Sequence, residues 1–438
     1  MNISIKDILK LEVAPALGCT EPTAVALGGA AAASLGPQES VPDRIDIGVD
    51  PNIFKNGLAV NIPGTNGRCG LDLASALGCL FGDPKKKMQV LQGVKEADVQ
   101  KAVELIASGK VKVDLAEDRH GIYVKTSVRH GNDSYVSIIE TQHDHVTELY
   151  VNGNSVDNPF APHPGKSQAS LNVSELEAVL HDLSLEDALE ISAGIDEGDM
   201  DFIERGIEMN MRLADFGLNN ECGLQVGRKL RGMEGKWLNS DIVHECRVYT
   251  SAAADARMAG VPLPAMSSAG SGNHGLTAII PIKLVADKIG AARRDLCRAV
   301  ALSHVITACV KSHTGRLAAI CACSVASGAG AASAVAWLLG GDKKQIGSAI
   351  NNIIEDLAGV ICDGAKNSCA LKLATASGNA VTAAFFALNG LGVQATDGII
   401  DASAMRTIAD VGRMSSQGMT ETDKIILKIM LDKFTEKK

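Results

Sequence analysis

Hydrophobic and polar residues are spaced differently in successive stretches of the chain. Residues 3–36 carry apolar side chains at helical spacing, with a break at Leu17-Gly18-Cys19. From Arg44 to Asn66 apolar and polar side chains alternate as they do in strands, and Leu71 to Leu80 returns to helical spacing. The first 84 residues are therefore predicted to begin and end with helices, with extended chain between them.

The pattern changes from residue 85 onward. A predicted helix at Ala97–Ser108 is followed by β-rich runs separated by polar turns. The predicted strands are Val111–Leu115, Gly121–Val128, Ser134–Glu140 and His145–Val151. From Val173 to the end the chain is typical of helices broken by Gly-rich loops.

These patterns predict an α+β fold, with a mainly helical core rich in Ala and Gly and a small inserted α/β domain. We expect residues 1–84 to form the N-terminal part of the core, 85–165 the insert and 166–438 the main helical core. The uncharged stretch Leu317–Gly341 is interpreted as a buried helix, because charges flank it closely and its strongly apolar residues are scattered.

Composition narrows the class of protein. Of the 438 residues 46% are hydrophobic but only 3% are aromatic, so small side chains must build the core. The formal net charge of -9 argues against a nucleic-acid surface, which needs a basic patch. The N-terminus carries no apolar signal segment, so we expect a cytoplasmic protein without a membrane partner, and a homo-oligomer stays open.

Three of the eleven cysteines are candidate ligands of an iron–sulfur cluster: Cys321, Cys362 and Cys369. On one continuous helix the last two would be about 10 Å apart, at ~1.5 Å rise per residue. Gly364 and Asn367-Ser368 indicate instead a loop, with a new helix starting around Ser368. Three thiolates on a four-iron cluster would leave one iron open to a substrate, which favours an enzyme over an electron carrier.

Two cysteines leave alternatives open. Cys321 and Cys323 lie in a predicted helical run, where residues two apart face opposite sides, so one of them is the ligand and we favour Cys321. Cys19 lies at a helix break, where Thr20 can cap the next helix and Pro22 fits its first turn. Its thiol suits a base, a nucleophile or a fourth cluster ligand. A zinc site is less favoured, because tightly paired ligands are missing.

A polar, Gly-rich loop spans residues 267–275. Its backbone N–H groups, with Ser271 and Asn273, are suited to bind a carboxylate. The same string resembles the carboxylate-binding loop of pyridoxal-phosphate dehydratases, but Lys229 is a poor candidate for their Schiff-base lysine. Lys311 and His313, which precede Cys321, are weaker candidates for binding substrate or supplying a proton.

Four motifs in order along the chain resemble the L-cysteine desulfidase family, which is related to the α-region of bacterial iron–sulfur L-serine dehydratases. They are Gly18-Cys19-Thr20-Glu21-Pro22, Gly270 to Gly275, Gly315-Arg316-Leu317 through Cys323, and Cys362 through Lys372.

The resemblance implies β-elimination of L-cysteine to sulfide, ammonia and pyruvate without pyridoxal phosphate. It implies that Cys321, Cys362 and Cys369 hold a [4Fe-4S] cluster and that Cys19 is the base, with ligation by Cys19 still open. The last two cluster cysteines are closer in sequence than in the dehydratases. The expected partner is therefore a small amino-acid substrate. The alternatives are an L-serine dehydratase that uses the same cluster, a pyridoxal enzyme, or a non-catalytic protein that binds metal or senses oxidants.

Overall fold

The computed structural model describes residues 3–37, 40–119, 121–161, 171–315 and 318–435. Its α-helices are α1 (Ile5–Glu12), α2 (Thr20–Ala33), α3 (Pro51–Gly57), α4 (Leu71–Phe81), α5 (Glu96–Ala107), α6 (Val173–His181), α7 (Leu185–Ala193), α8 (Glu197–Asn219), α9 (Val226–Gly232), α10 (Ile242–Met258), α11 (Gly272–Ile289), α12 (Arg293–Thr314), α13 (Ala326–Leu338), α14 (Lys343–Leu357), α15 (Cys369–Leu388), α16 (Ala404–Arg413) and α17 (Thr420–Thr435). A 3-10 segment covers Pro84–Gln89 and a short π-helix covers Met414–Gly418.

The strands form two sheets. They are β1 (Pro15–Leu17), β2 (Arg44–Val49), β3 (Val111–Leu115), β4 (Tyr123–His130), β5 (Asp133–Glu140), β6 (Val146–Val151), β7 (Asn154–Ser155) and β8 (Pro264–Met266). The larger sheet has the order β3-β2-β4-β5-β6-β7, and only its β2–β3 pair is parallel. β1 pairs antiparallel with β8. The predicted α+β fold is confirmed.

Small side chains build the helical core as the composition suggests. α13 is buried along most of its length and packs against α11, α12, α14 and α15. A Cβ on Gly330 would lie 2.4 Å from Thr307 Oγ1, so only a glycine lets α12 and α13 approach this closely. The predicted buried helix in the uncharged stretch is therefore confirmed over Ala326–Leu338.

Two sequence predictions near the N-terminus are wrong in detail. The run Arg44–Asn66 is not all extended, because α3 follows β2 directly. Asp50 caps α3 by accepting hydrogen bonds from the N–H groups of Asn52 and Ile53. Thr20 is not a cap either: Cys19 occupies the N-cap position of α2, and its side chain makes no capping hydrogen bond. Pro22 lies in the first turn, as predicted.

The larger sheet takes strands from both sides of residue 84, because β2 lies between β3 and β4. α2 and α4 also pack together beside it, with α2 contacting β4 and β5. The predicted division at residue 85 stays a prediction, and the boundary at 165 lies outside the described residues, as do Arg316 and Leu317.

α15 is the one described helix that is long and apolar enough to cross a membrane. Over half of its apolar window is buried inside the protein, as in the core helix of a globular fold. Its contacts with α10, α13 and α14 explain that burial.

Candidate active site

One cavity of about 80 Å³ lies where the N-terminal segment, the Gly-rich loop and the cysteine loops meet. All six predicted site residues line it: Cys19, Ser271, Asn273, Cys321, Cys362 and Cys369. They come from parts of the chain up to 350 residues apart, and Cys323 joins them. The fold therefore brings together the residues that the sequence had suggested separately.

The Cys321-Ala322-Cys323 segment is a turn that precedes α13 and not part of a helix. A backbone bridge pairs Ile320 with Ile361, and the Cys321 N–H donates to the Val360 carbonyl at 2.8 Å. The prediction of opposite helix faces is therefore wrong, because the chain has no helical periodicity there. Both thiols line the cavity.

The Cys362–Cys369 segment has the predicted loop and helix start. α15 begins at Cys369, whose N–H donates to the Lys366 carbonyl. Gly364 has φ +91°, in the region that favours glycine, and a Cβ there would lie 2.5 Å from the Lys55 carbonyl oxygen. The tight turn brings both sulfurs to one cavity, with Cys362 Sγ 4.0 Å from Asn56 Oδ1.

The cavity thiols differ in acidity. Hydrogen bonds from Cys323 and Ser324 to the Cys321 sulfur lower the pKa of Cys321 to about 6, against the opposing effect of burial. The pKa of Cys323 is raised, because its thiol donates to Cys321 and is buried. Burial raises the pKa of Cys369 to about 11. Cys321 is therefore the thiolate of its pair.

Two lysines bring positive charge to these thiols. Burial is the main effect on Cys362 and raises its pKa, while the charges of Lys55 and Lys372 oppose that rise. Lys372 is held in place by donating to the Ile361 carbonyl and to Asp363 Oδ1, both at 2.7 Å. Positive charge at this wall favours bound thiolates.

The donor set fits an iron–sulfur cluster. In the described part of the chain, no three His, Cys, Asp or Glu side chains are grouped closely enough for a single metal ion. A cluster is larger than one ion, and its cysteine ligands surround several irons. Besides Cys19, four cysteines line this cavity, namely Cys321, Cys323, Cys362 and Cys369, and cationic side chains lie nearby. Their soft sulfur donors have the chemistry that such a cluster requires.

Cys19 lies on another part of the cavity lining. Its Sγ donates to Glu21 Oε2 at 2.9 Å, and the Thr20 hydroxyl donates to the same oxygen at 3.0 Å. Burial and the neighbouring Glu21 carboxylate raise the pKa of the Cys19 thiol well above its ordinary value, while the charge of Arg257 opposes them. The thiol is protonated in this arrangement.

Arg257 is a site residue that the sequence predictions missed. It is buried at the end of α10 and donates from Nη2 to the Gly18 carbonyl at 2.8 Å and from Nη1 to Asn273 Oδ1 at 2.9 Å. It thus joins the segment before Cys19 to the first turn of α11. The available signal was a charged residue in the alanine-rich part of α10. An unpaired charge is costly in such an apolar stretch, so a partner for Arg257 could be expected.

The Gly-rich loop leads into α11, which begins at Gly272. Ser271 is the N-cap residue, and Asn273 and His274 lie in the first turn. His274 Nδ1 lies 3.1 Å from the Ser268 carbonyl oxygen, and burial together with the charge of Lys311 lowers the pKa of His274 to about 3. The neutral histidine and the helix N-terminus leave a surface suited to an anion.

Of the weaker candidates, only Lys311 lies at the cavity. Lys311 is buried and lines the cavity. His313 instead stacks on His181, with ring centroids 3.8 Å apart, and does not line the cavity. Lys229 is exposed on α9, away from the cavity, where no Schiff base could serve this site.

Comparison with known sequences identifies the family. The family described as serine dehydratase alpha chain matches residues 85–428, most of the chain. The chain belongs to this serine dehydratase alpha chain family. The predicted relation to the α-region of iron–sulfur L-serine dehydratases is therefore confirmed.

Relatives of this serine dehydratase-like protein match over nearly their whole length. A UPF0597 protein of Desulforapulum autotrophicum is 57% identical over 99% of this chain and 98% of its own. A UPF0597 protein of Desulfatibacillum aliphaticivorans is 50% identical over 99% of each chain. One of Clostridium tetani is 39% identical over 98% of each.

Proposed function

We propose that the protein is a lyase that eliminates sulfide from L-cysteine to give aminoacrylate, which water then hydrolyses to ammonia and pyruvate. The observation that carries this proposal is one cavity that is lined by Cys19, by the start of α11 and by Cys321, Cys362 and Cys369. Elimination needs a base at the α-carbon and an activated leaving group on the neighbouring carbon, so the two must be close together. Family membership supports a lyase.

Cys321, Cys362 and Cys369 would hold a [4Fe-4S] cluster, which would supply a Lewis acid for the leaving group. The low pKa of Cys321 supports it over Cys323 as the ligand, since the thiolate is the form that binds metal. Cys323, which donates its hydrogen bond to Cys321, would then stabilise that sulfur.

The substrate carboxylate would bind at the start of α11. Ser271 and the N–H groups of the first turn, which have no partner within the helix, offer donors, and the helix dipole favours a negative charge there. Asn273 supports this end indirectly, because its Oδ1 already accepts from Arg257 and its Nδ2 lies 3.5 Å from Met258 Sδ. Ser271 therefore contacts the substrate and Asn273 positions Arg257.

Cys19 would take the α-proton. The thiol must first be ionised, and the charge of Arg257 favours the thiolate while burial and Glu21 oppose it. A cationic group that binds beside Glu21 would reduce that opposition. Since the base is a sulfur, its replacement by serine keeps the shape but removes the acidity that the step requires.

L-Serine dehydration is the second candidate function, favoured by the family description. The same base and carboxylate site would serve both amino acids, which differ only in the leaving atom. A soft sulfur suits an iron of the cluster better than a hydroxyl, which supports L-cysteine.

The deciding experiment uses protein purified without oxygen. We expect equal amounts of sulfide and pyruvate from L-cysteine, lost when the iron is chelated and lost in Cys19→Ser. Cys297→Ser is the matched control, because Cys297 is buried away from the cavity. Pyruvate from L-serine alone would make it a dehydratase. Full activity after prolonged aeration would contradict a cluster-dependent mechanism, and iron with no product from either amino acid would favour a non-catalytic metal or redox protein.

A further inference from the structure

We propose that Glu21 binds the α-ammonium group of the substrate, which makes the site selective for α-amino acids over carboxylic acids without an amino group. This inference rests on the proposed function, since it concerns the same cavity. It adds a specificity-determining residue that the sequence motifs alone had not assigned.

More cationic than anionic side chains line the cavity. Three cationic side chains line it: Arg257, Lys311 and Lys372. Among the described residues that line it, Glu21 has the only carboxylate. An α-amino acid carries one carboxylate and one ammonium group, so its carboxylate has several partners while its ammonium group has Glu21.

The Glu21 carboxylate is buried, and one of its two oxygens is available to accept a hydrogen bond from a ligand. Within the described residues, its hydrogen bonds from Cys19 and Thr20 both end on Oε2. Oε1 therefore remains to accept from a ligand. A carboxylate can accept several hydrogen bonds, and a buried one is costly unless cations or donors compensate it. A bound ammonium group supplies both.

The position of Cys19 agrees with this assignment. Its thiol is near both charged groups of this part of the lining: it donates to Glu21 Oε2 at 2.9 Å, and Arg257 binds the carbonyl of the preceding residue, Gly18. In an amino acid the α-carbon lies between the ammonium and the carboxylate. A ligand held by Glu21 at one end and by the start of α11 at the other would place its α-carbon against Cys19 Sγ.

A purely structural role explains Glu21 less well. An acidic residue in the first turn of a helix is stabilised by the helix dipole, and Glu21 does occupy that position in α2. Glu175 in α6 and Asp187 in α7 fill the same role from the surface, where no desolvation is needed. The helix dipole does not account for a carboxylate buried in a cavity.

The test compares two ligands that differ only in the ammonium group: L-alanine and propionate. Neither has a leaving group, so binding is measured by calorimetry on the anaerobic holoprotein without turnover. We expect the wild type to prefer L-alanine, and Glu21→Gln to weaken L-alanine about 30-fold while leaving propionate within about twofold. Glu12→Gln is the matched control, since Glu12 is buried to the same extent in α1 but does not line the cavity.

Glu21→Asp keeps the charge on a shorter side chain and is the second variant, in case Glu21→Gln folds poorly. It should also weaken L-alanine and spare propionate. Equal losses for both ligands, or a wild type that binds propionate as tightly as L-alanine, would overturn the assignment. A wild type that prefers L-alanine through Glu21 yet releases no pyruvate from L-cysteine would leave the assignment standing and remove the proposed reaction instead.

Discussion

At the scale of single residues, Arg257 connects the segment that carries Cys19 to the start of α11. Its planar guanidinium donates to the Gly18 carbonyl and to Asn273 from two different nitrogens, a geometry that lysine does not reproduce. We expect Arg257→Lys to lower kcat/KM for L-cysteine about 100-fold, because the Cys19 segment and the start of α11 lose their common anchor. The conservative control Arg228→Lys, on a half-exposed arginine paired with Glu221, should leave kcat/KM unchanged. Wild-type kinetics in Arg257→Lys would contradict this role.

His304 gives the stability a pH dependence. Its Nδ1 lies 2.8 Å from Ser268 Oγ, and burial lowers the pKa of His304 to about 4. An unfolded histidine titrates near pH ~6.5, so between that pH and 4 the unfolded state binds a proton that the folded state does not. This contribution to stability is complete above pH ~6.5 and is lost as the pH falls towards 4, by up to about 3 kcal/mol.

His304→Gln should therefore flatten this part of the pH dependence. Glutamine can keep the hydrogen bond to Ser268 but does not titrate. The measurement is the thermal midpoint of unfolding between pH 7 and about 4.5. His130→Gln, at the half-buried end of β4, should keep the wild-type slope. Parallel curves for the wild type and His304→Gln would show that the histidine contributes nothing.

At the scale of elements, the loop between Cys362 and Cys369 depends on Gly364. An alanine there would be strained at φ +91° and would contact the Lys55 carbonyl, so the loop must move away from α3. We expect Gly364→Ala to lose most of its iron and acid-labile sulfide while its circular dichroism stays helical. Gly359→Ala is the matched control, because a Cβ at Gly359 meets no other atom within 4 Å. Equal iron content in both variants would contradict a ligand role for this loop.

The sequence predicted elements well where periodicity was strong and local. The helix α4 and the strands from β3 to β6 were found within a few residues of their observed bounds, and so was the start of α15 at Cys369. α3 was missed because the alternation of apolar and polar residues on either side of it favoured a strand, although Asp50-Pro51 is a helix-start signal. The Cys321–Cys323 turn was missed because its conformation depends on pairing with Val360 and Ile361, a contact that no local pattern encodes.

The site residues were predicted unevenly for a related reason. Cysteines and Gly-rich loops are recognisable by type and spacing, so all six predicted residues could be named, and they meet at one cavity. Arg257 belongs to no motif, and its partner Gly18 lies 239 residues away in sequence. Its importance follows only from the hydrogen bonds of the folded chain.

At the scale of the whole molecule, an ion pair between the buried Lys55 and Asp423 joins α3, which follows β2 in the chain, to the C-terminal helix α17. The Lys55 side chain is only 1% exposed, so removing its partner leaves a buried charge uncompensated. We expect Asp423→Asn to lower the apparent free energy of unfolding by about 3 kcal/mol in urea. Glu421→Gln breaks an exposed pair with Lys424 on the same helix and should cost less than about 1 kcal/mol.

The same pair reaches the site through α3. Asn56 faces Cys362, and the Lys55 carbonyl limits the turn at Gly364, so loosening α3 should also loosen the Cys362–Cys369 loop. Asp423→Asn should therefore lose iron at a lower temperature than Glu421→Gln, as followed by the visible absorbance during heating. Lys55→Met combined with Asp423→Leu removes both charges and should recover most of the lost stability. Iron loss at the same temperature in Asp423→Asn and Glu421→Gln would mean that the C-terminal helix is energetically separate from the site.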